Sequence, residues 1–358
     1  MGVLPERDAP RDIRERHVAC DDRPDMTTFG GIDLGGTKIQ TVVVRTQTGT
    51  PHGGGQAGGE DHSVLGKARR LTPHSGGPSA VVDALAECMR EAAKEAKLSP
   101  GELDGIGVGA PGEVDGEAGT LARATNLSEW EQPFPLAATL SERLATPVRL
   151  GNDVRVATRA ELELGAGRGA SSMLCVFWGT GVGGGVVLDG KLWLGRGGAG
   201  EIGHMVVKQG GARCLCGRRG CMEAYAGRRA MEGKARRLVK EGHESNLFEI
   251  MRERERTTLS SGVWKHALDR GDHLAHELIE RAVGALGTGI ASAVNLLDVE
   301  LVLLGGGLGA RFGEPMLTRI ADAMRPHLFN DTHPPELRMA ALGDLGGALG
   351  AALLCESH

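Results

Sequence analysis

The chain has 358 residues, 41% of them hydrophobic and 24% charged, with a formal net charge of −5. That length accommodates two domains with a core each, and a mildly acidic chain without a dense basic stripe argues against a nucleic-acid surface. No apolar run reaches the roughly 18 residues that span a bilayer, and the opening residues are too polar and rich in Arg and Asp for a secretory signal. Glycine, at 57 residues, has roughly twice its usual share of about 7%, and much of the excess sits in compact clusters beside β-type runs. Aromatic residues make up only 3%, so the cores must be built from Leu, Val, Ile and Ala.

Residues 1–27 lack apolar periodicity and read as a floppy leader, with Met26 as an alternative natural start. A glycine turn follows, GGIDLGGTK at 30–38, running into the strand-like residues 39–45. Asp33, at the end of the incoming strand, can hold Mg²⁺ through water or act as an ordinary turn carboxylate. Residues 46–78, rich in Gly, His, Pro and Ser, read as an extended loop region. From 78 to 98, Val81, Ala84, Leu85, Cys88, Met89 and Ala92 share one stripe and predict an amphipathic helix, ended by Ser99-Pro100-Gly101. Residues 105–109 form a short buried strand.

A further strand over 148–150 meets Gly151-Asn152-Asp153, and a helix is expected over 154–164. A carboxylate there can take a proton from an attacking hydroxyl; Asn and Asp are equally favoured there as helix caps, and spacing alone leaves both readings open. The second glycine turn, FWGTGVGGGVV at 177–187, is entered from the strand-like 173–176. Both turns read as strand–turn–strand, unlike the strand-to-helix turn of a dinucleotide fold. Glycine allows backbone N–H groups to approach phosphate oxygens closely, and Thr37 and Thr180 each add a hydroxyl. No GxxxxGK[ST] motif occurs.

His204 is followed at +10, +12 and +17 by Cys214, Cys216 and Cys221, in CLCGRRGC. One imidazole and three thiolates make a closed, structural Zn²⁺ site, and Gly217 and Gly220 let the loop bend tightly. Glu201 and Glu223 flank this cluster, where carboxylates pinned by a metal-held loop can accept from sugar hydroxyls or remain solvated surface charge. The other cysteines (Cys20, Cys88, Cys175, Cys355) are scattered, and an odd count with one tight cluster fits a reducing, cytoplasmic compartment. Residues 225–241 read as a charged helix. A long apolar helix is expected over 273–297, where Gly284, Gly287 and Gly289 cost helix stability unless something packs very close. A buried strand over 300–304 meets Gly305-Gly306-Gly307, against which a flat adenine ring could lie. A helix follows Gly313, and 346–355 reads as a terminal helix. The alternation of strands and helices indicates an α/β architecture.

In order and spacing, DLGGTK, GAPG (109–112), NLSEW (126–130), LGND (150–153), GTGVGGG, GGAGEIGH (197–204), CLCGRRGCME (214–223) and LLGGG resemble the ROK sugar kinases, most of all their bacterial glucokinase branch. The likeness covers residues 28–355. It implies an actin/hexokinase-like (ribonuclease H-like) ATPase fold with two α/β domains around a cleft: 28–150, joined by the returning helix 344–356, and 151–343. It implies ATP with Mg²⁺ as donor and the 6-hydroxyl of glucose as acceptor. Asp153 would be the general base, and Asn126, Asn152, Glu201, His204 and Glu223 would hydrogen-bond the sugar. Gly35, Gly36, Thr37 and Lys38 would form the first phosphate loop with Asp33 beside it. Gly179, Thr180 and Gly181 would form the second, and Gly305, Gly306 and Gly307 the adenosine side. His204 would carry two duties, one ring nitrogen on zinc and the other towards the sugar. A homodimer or homotetramer is implied too.

Other acceptors fit the same motifs: N-acetylmannosamine, N-acetylglucosamine, mannose or fructose. Polyphosphate is an alternative donor. A sugar-responsive repressor of the same family would need a helix-turn-helix domain ahead of the first loop, and the roughly 30 residues there are too few for one. Three places depart from the family pattern: a longer, glycine-rich stretch over 49–75, Val154-Arg155-Val156-Ala157 after Asp153, and the bulky pair Phe177-Trp178.

Overall fold

The first glycine turn joins β1 (Met26–Leu34) to β2 (Lys38–Gln47) as an antiparallel hairpin. Along β2 the side chains alternate between two apolar environments, Ile39 and Val43 on one face, Val42 and Val44 on the other. A strand with both faces covered belongs inside a layered α/β unit. The computed structural model describes residues 26–47, 61–124 and 126–356; of the leader expected over 1–27, only Met26 and Thr27 fall among them, and they open β1.

The chain then runs through β3 (Asp61–Leu71), α1 (Gly77–Glu95), β4 (Gly105–Ala110), the small hairpin β5 (Glu113–Asp115) and β6 (Thr120–Ala122), α2 (Leu136–Leu144), β7 (Val148–Asn152) and α3 (Asp153–Glu163). The first sheet has the order β3-β2-β1-β4-β7; β2 lies antiparallel to β1 and β3, while β4 is parallel to β1 and β7. The sequence then starts the pattern again with β8 (Met173–Trp178), β9 (Val182–Leu188) and β10 (Lys191–Trp193). Five helices follow: α4 (Glu223–Ala226), α5 (Arg228–Lys240), α6 (Leu247–Glu253), α7 (Ser261–Asp269) and α8 (His273–Leu297). Then come β11 (Leu301–Gly305), α9 (Gly306–Phe312), α10 (Glu314–Met324), β12 (Glu336–Met339) and α11 (Gly346–Ala352). The second sheet, β10-β9-β8-β11-β12, repeats the order and directions of the first strand for strand. Two such units are the actin/hexokinase-like, ribonuclease H-like architecture.

The chain passes from one sheet to the other through residues 164–172, between α3 and β8, and back through 340–345, between β12 and α11. Helices α3 and α11 lie between the sheets and pack on each other. They approach at backbone distance: a Cβ on Gly350 would sit 1.8 Å from the Val156 carbonyl oxygen, and one on Gly107 of β4 would sit 1.7 Å from that of Ala351. On its outer face the first sheet is covered by α1 and α2, whose buried residues include Val81, Leu85, Met89, Leu136 and Leu140. The larger core of the second sheet lies under α4 to α10, with Trp264, Leu286 and Ile320 buried.

Several expectations from the sequence are corrected. Residues 46–78 are not a loop throughout: β3 occupies Asp61–Leu71 and α1 begins at Gly77, while 48–60 lie outside the described residues. The charged helix over 225–241 is two helices broken at Gly227. A helix begins at Gly306, directly after the glycine cluster, rather than only beyond Gly313. In α8, Gly287 presses on Ala323 of α10 and Gly289 on Met222, so both have the close packing that their helix cost requires; Gly284 has nothing within 4 Å of its Cβ position. Among the described residues no helix is long and apolar enough to cross a membrane.

Candidate active site

A cleft of about 2060 Å³ between the sheets receives every candidate residue except Cys221, which is buried behind it. The turn between β1 and β2 forms part of one wall. Gly35 N–H donates to the Lys38 carbonyl at 2.9 Å, and the end of β3 braces the turn as Thr72 donates from its hydroxyl to Gly35 O at 2.6 Å. Thr37 is exposed to the cleft, and Asn126 closes on the turn, since a Cβ on Gly36 would meet Asn126 within 2.8 Å. Lys38 reaches Asp344, just before α11, at 2.9 Å.

The turn between β8 and β9 forms the opposite wall. Gly179 N–H donates to Gly181 O at 2.9 Å, and the start of α5 holds the outer side of this turn: Arg228 N–H donates to Gly179 O and Arg229 N–H to Thr180 O, both at 3.1 Å. The Arg228 guanidinium also donates to the Thr180 hydroxyl at 3.0 Å and to Leu259 O at 3.2 Å. Gly307 abuts this turn, its N lying 3.6 Å from the Cβ position of Gly179. Gly306 has φ +81°, and a Cβ there would strike the Trp178 carbonyl oxygen at 2.5 Å. The second glycine turn and the Gly306–Gly307 backbone therefore lie against each other at the cleft, with Gly305 buried behind them.

Between the walls lies the N-terminus of α3. Asn152 is its cap, its side-chain oxygen accepting from Val154 N–H and Arg155 N–H at 3.2 Å each. The cap reading thus holds for Asn152, and Asp153 is left in the first helical turn, where one carboxylate oxygen accepts from Val154 N–H at 2.9 Å. Desolvation raises the Asp153 pKa, the Val154 N–H opposes the shift, and the negative charge of Glu201 adds to it. Desolvation likewise pushes Asp33 up to about 7; Asp153 adds to the shift, Lys38 opposes it and Asp344 raises it further. The carboxylates at the cleft floor therefore feel one another, an arrangement suited to a cation or to a group that takes up a proton.

The histidine–cysteine cluster forms the remaining side. Arg213 bridges to Arg219 as a tiny hairpin and Val206 bridges to Cys221, with Gly217 and Gly220 at φ +87° and +85° making the bends. The ligand atoms of His204, Cys214, Cys216 and Cys221 all lie within 4.8 Å of one another. Cys216 and Cys221 sulfurs are 3.7 Å apart, and Cys214 Sγ is 3.8 Å from His204 Nδ1. Zn–S bonds near 2.3 Å in a tetrahedron give edges of about 3.8 Å, so the donor set fits the ion. His204 Nε2 points the other way, 3.9 Å from Glu201 Oε2. Glu223 joins the cluster to the second glycine turn: one oxygen accepts from Val182 N–H at 2.9 Å, and the other lies 3.7 Å from Cys214 Sγ.

Sequence reasoning did not single out Arg228 or Asp344. Neither sits in a motif of its own; only the fold carries the first to Thr180 and the second to Lys38. Arg155, flagged from the sequence as unusual, donates to the Gly197 carbonyl and so tethers the loop ahead of Glu201.

Residues 29–358 match the ROK family. A glucokinase of Thermotoga maritima is 33% identical over 337 residues, covering 92% of this chain and 97% of its own. The N-acetylgalactosamine kinase AgaK of a Shewanella species is 31% identical over 335 residues, 91% of this chain and 96% of its own. Among solved structures, a ROK family glucokinase from Streptomyces griseus in complex with glucose and AMPPNP superimposes with a TM-score of 0.72 at 29% identity, over 92% of this chain and 98% of that one.

Proposed function

This chain belongs to the ROK family and is an ATP-dependent sugar kinase, and we propose that it transfers the γ-phosphoryl group of ATP to the 6-hydroxyl of glucose with Asp153 as general base. The observation that carries the reading is the convergence of two hydroxyl-bearing glycine turns on one cleft whose floor holds a desolvated carboxylate at a helix start. Asp153 takes the proton of the 6-hydroxyl as that oxygen bonds to the γ-phosphorus, and the bond from phosphorus to the β-bridging oxygen breaks to leave ADP. The backbone N–H groups of Gly36 and Gly181, which the turns leave unused as those of Gly35 and Gly179 close them, the hydroxyls of Thr37 and Thr180, and Lys38 receive charge spread over the phosphates. The Gly305–Gly307 surface takes the adenosine. Mg²⁺, held through water at Asp33, would neutralise charge on the transferring group.

Asn126, Asn152, Glu201, His204 and Glu223 hold the sugar. Asn152 caps α3 with its oxygen and turns its amide group towards the Asp153 carboxylate, beside the place of the sugar. His204, Cys214, Cys216 and Cys221 would hold a structural Zn²⁺, His204 through Nδ1, which lies beside Cys214 Sγ, while Nε2 faces the sugar side near Glu201. The regions carrying the two sheets act as domains that close on the sugar, exclude water and suppress ATP hydrolysis. The enzyme works in the cytoplasm as a homodimer or homotetramer.

A coupled ADP-release assay with a panel of sugars tests the acceptor: glucose, mannose, fructose, N-acetylglucosamine, N-acetylgalactosamine and N-acetylmannosamine, each with ATP and with polyphosphate. Glucose with ATP should give the highest kcat/KM. An N-acetylated hexose exceeding it tenfold overturns the glucose assignment and leaves the chemistry intact.

A further inference from the structure

Glu161 sits near the end of α3, about two turns beyond Asp153, and is 2% exposed. A buried carboxylate is tolerated only when its charge is met by donors. It has three, and all are backbone N–H groups: Ala166 at 3.0 Å and Ala341 at 3.0 Å on one oxygen, Leu342 at 2.9 Å on the other. Ala166 lies in the segment that carries the chain from the first sheet to the second; Ala341 and Leu342 lie in the segment that carries it back. One side chain therefore grips both crossings. The Glu161 carbonyl adds to the grip by accepting from Gly167 N–H at 2.8 Å, and Arg338 of β12 ties the first crossing to the second sheet by donating to Ala166 O at 2.9 Å.

We propose that Glu161 is the pivot about which the two halves turn, a positioning residue that keeps both crossings fixed to the helix bearing Asp153. Charge-assisted bonds to rigid amides make a firm point in an otherwise loop-built connection. With that point fixed, closure is a rotation that brings the β8–β9 turn and its bound phosphates to a reproducible place over Asp153. With it loosened, the halves still meet, but the phosphorus and the hydroxyl are out of line. A misplacement of about 1 Å costs on the order of a hundredfold in rate. The inference rests on the kinase reading and on closure of the halves.

Glu161→Gln replaces one acceptor oxygen by an amide that cannot accept, and it tests the proposal. Sugar-binding stoichiometry sets the folded concentration, kinetics are run well below the melting temperature, and X-ray scattering follows compaction with glucose. The expected result is a fall in kcat of at least tenfold per folded molecule, KM for glucose and ATP within threefold of the parent, and a smaller glucose-dependent change in radius of gyration. Glu161→Asp, too short to reach both crossings, should not restore the rate. A lower melting temperature with kcat within twofold and unaltered compaction overturns the proposal and makes Glu161 a structural prop. Hydrogen exchange on the unaltered protein serves if the variants do not fold: the amides of Ala166, Ala341 and Leu342 should exchange slowly with and without glucose, and exchange at open-loop rates overturns the pivot. Absence of sugar kinase activity in the parent protein would sink the kinase reading instead, a distinct result.

Discussion

Burial raises the pKa of two carboxylates in this cleft, Asp33 and Asp153. Desolvation and mutual repulsion hold Asp33 at about 7 against its ordinary 3.8, so its neutral form is favoured by folding. The sign of the linkage follows: its stabilising contribution is fully present below about pH 4 and is lost as pH rises through 7. Melting temperatures of cation-free Asp33→Asn should therefore fall less between pH 4 and 7 than those of the parent protein. Equal slopes would remove Asp33 as the source. For Asp153, also shifted upward, the base is active only when ionised. The acid limb of kcat/KM should thus lie clearly above the range of an exposed aspartate, and a plateau extending unbroken to pH 4 would contradict the assignment. Cys216, the exposed member of the histidine–cysteine cluster, offers another test. Cys216→Ser, or a strong chelator, should release about one zinc per chain, lower the melting temperature and weaken glucose binding ten- to a hundredfold. Fully active protein without zinc would remove the metal from the account.

Helices α3 and α11 carry the tightest backbone contacts between elements, and their small residues are what allow them. Gly350→Ala places a methyl against the Val156 carbonyl oxygen and should cost about 1–3 kcal/mol by overpacking, read as a lower urea midpoint at unchanged slope. Tolerance within about 0.3 kcal/mol would mean that the helices can separate freely. The same smallness explains what the sequence concealed. Strand β3 escaped notice because, Leu65 apart, the side chains it packs on the core are small: Gly66 lies so close to α1 that a Cβ there would sit 2.2 Å from the Ala92 carbonyl oxygen. As an edge strand it also exposes Ser63, Lys67 and Arg69, which read as loop composition. Strand β12 is another edge strand and only four residues long. By contrast, β1, β2, α1 and α8 have faces lined by large apolar side chains, and their periodicity identified them. Phe177-Trp178, an oddity in the sequence, is explained by packing: Trp178 is fully buried and donates to Ala226 O at 2.6 Å, and Phe177 lies against Gly305. The candidate residues could be picked out because glycine turns, a cap and a cysteine cluster are local patterns. Arg228, Asp344 and Glu161 act across long sequence separations, which no local pattern reports.

Duplication gives the molecule its working geometry. Each sheet offers the turn between its first two strands to the same cleft, so two copies of one device face each other across α3. The chain crosses between the halves only twice among the described residues, through short segments that Glu161 holds. Few crossings and a wide cleft favour rotation of one half against the other. The account as a whole depends on a phosphoryl group delivered across that cleft to a hydroxyl that Asp153 deprotonates. The most direct measurement is the rate of glucose 6-phosphate formation by Asp153→Asn, with glucose affinity determined on the same preparation. The account predicts a loss of at least a thousandfold in kcat with glucose binding within about fivefold of the parent; turnover within tenfold of the parent would contradict it.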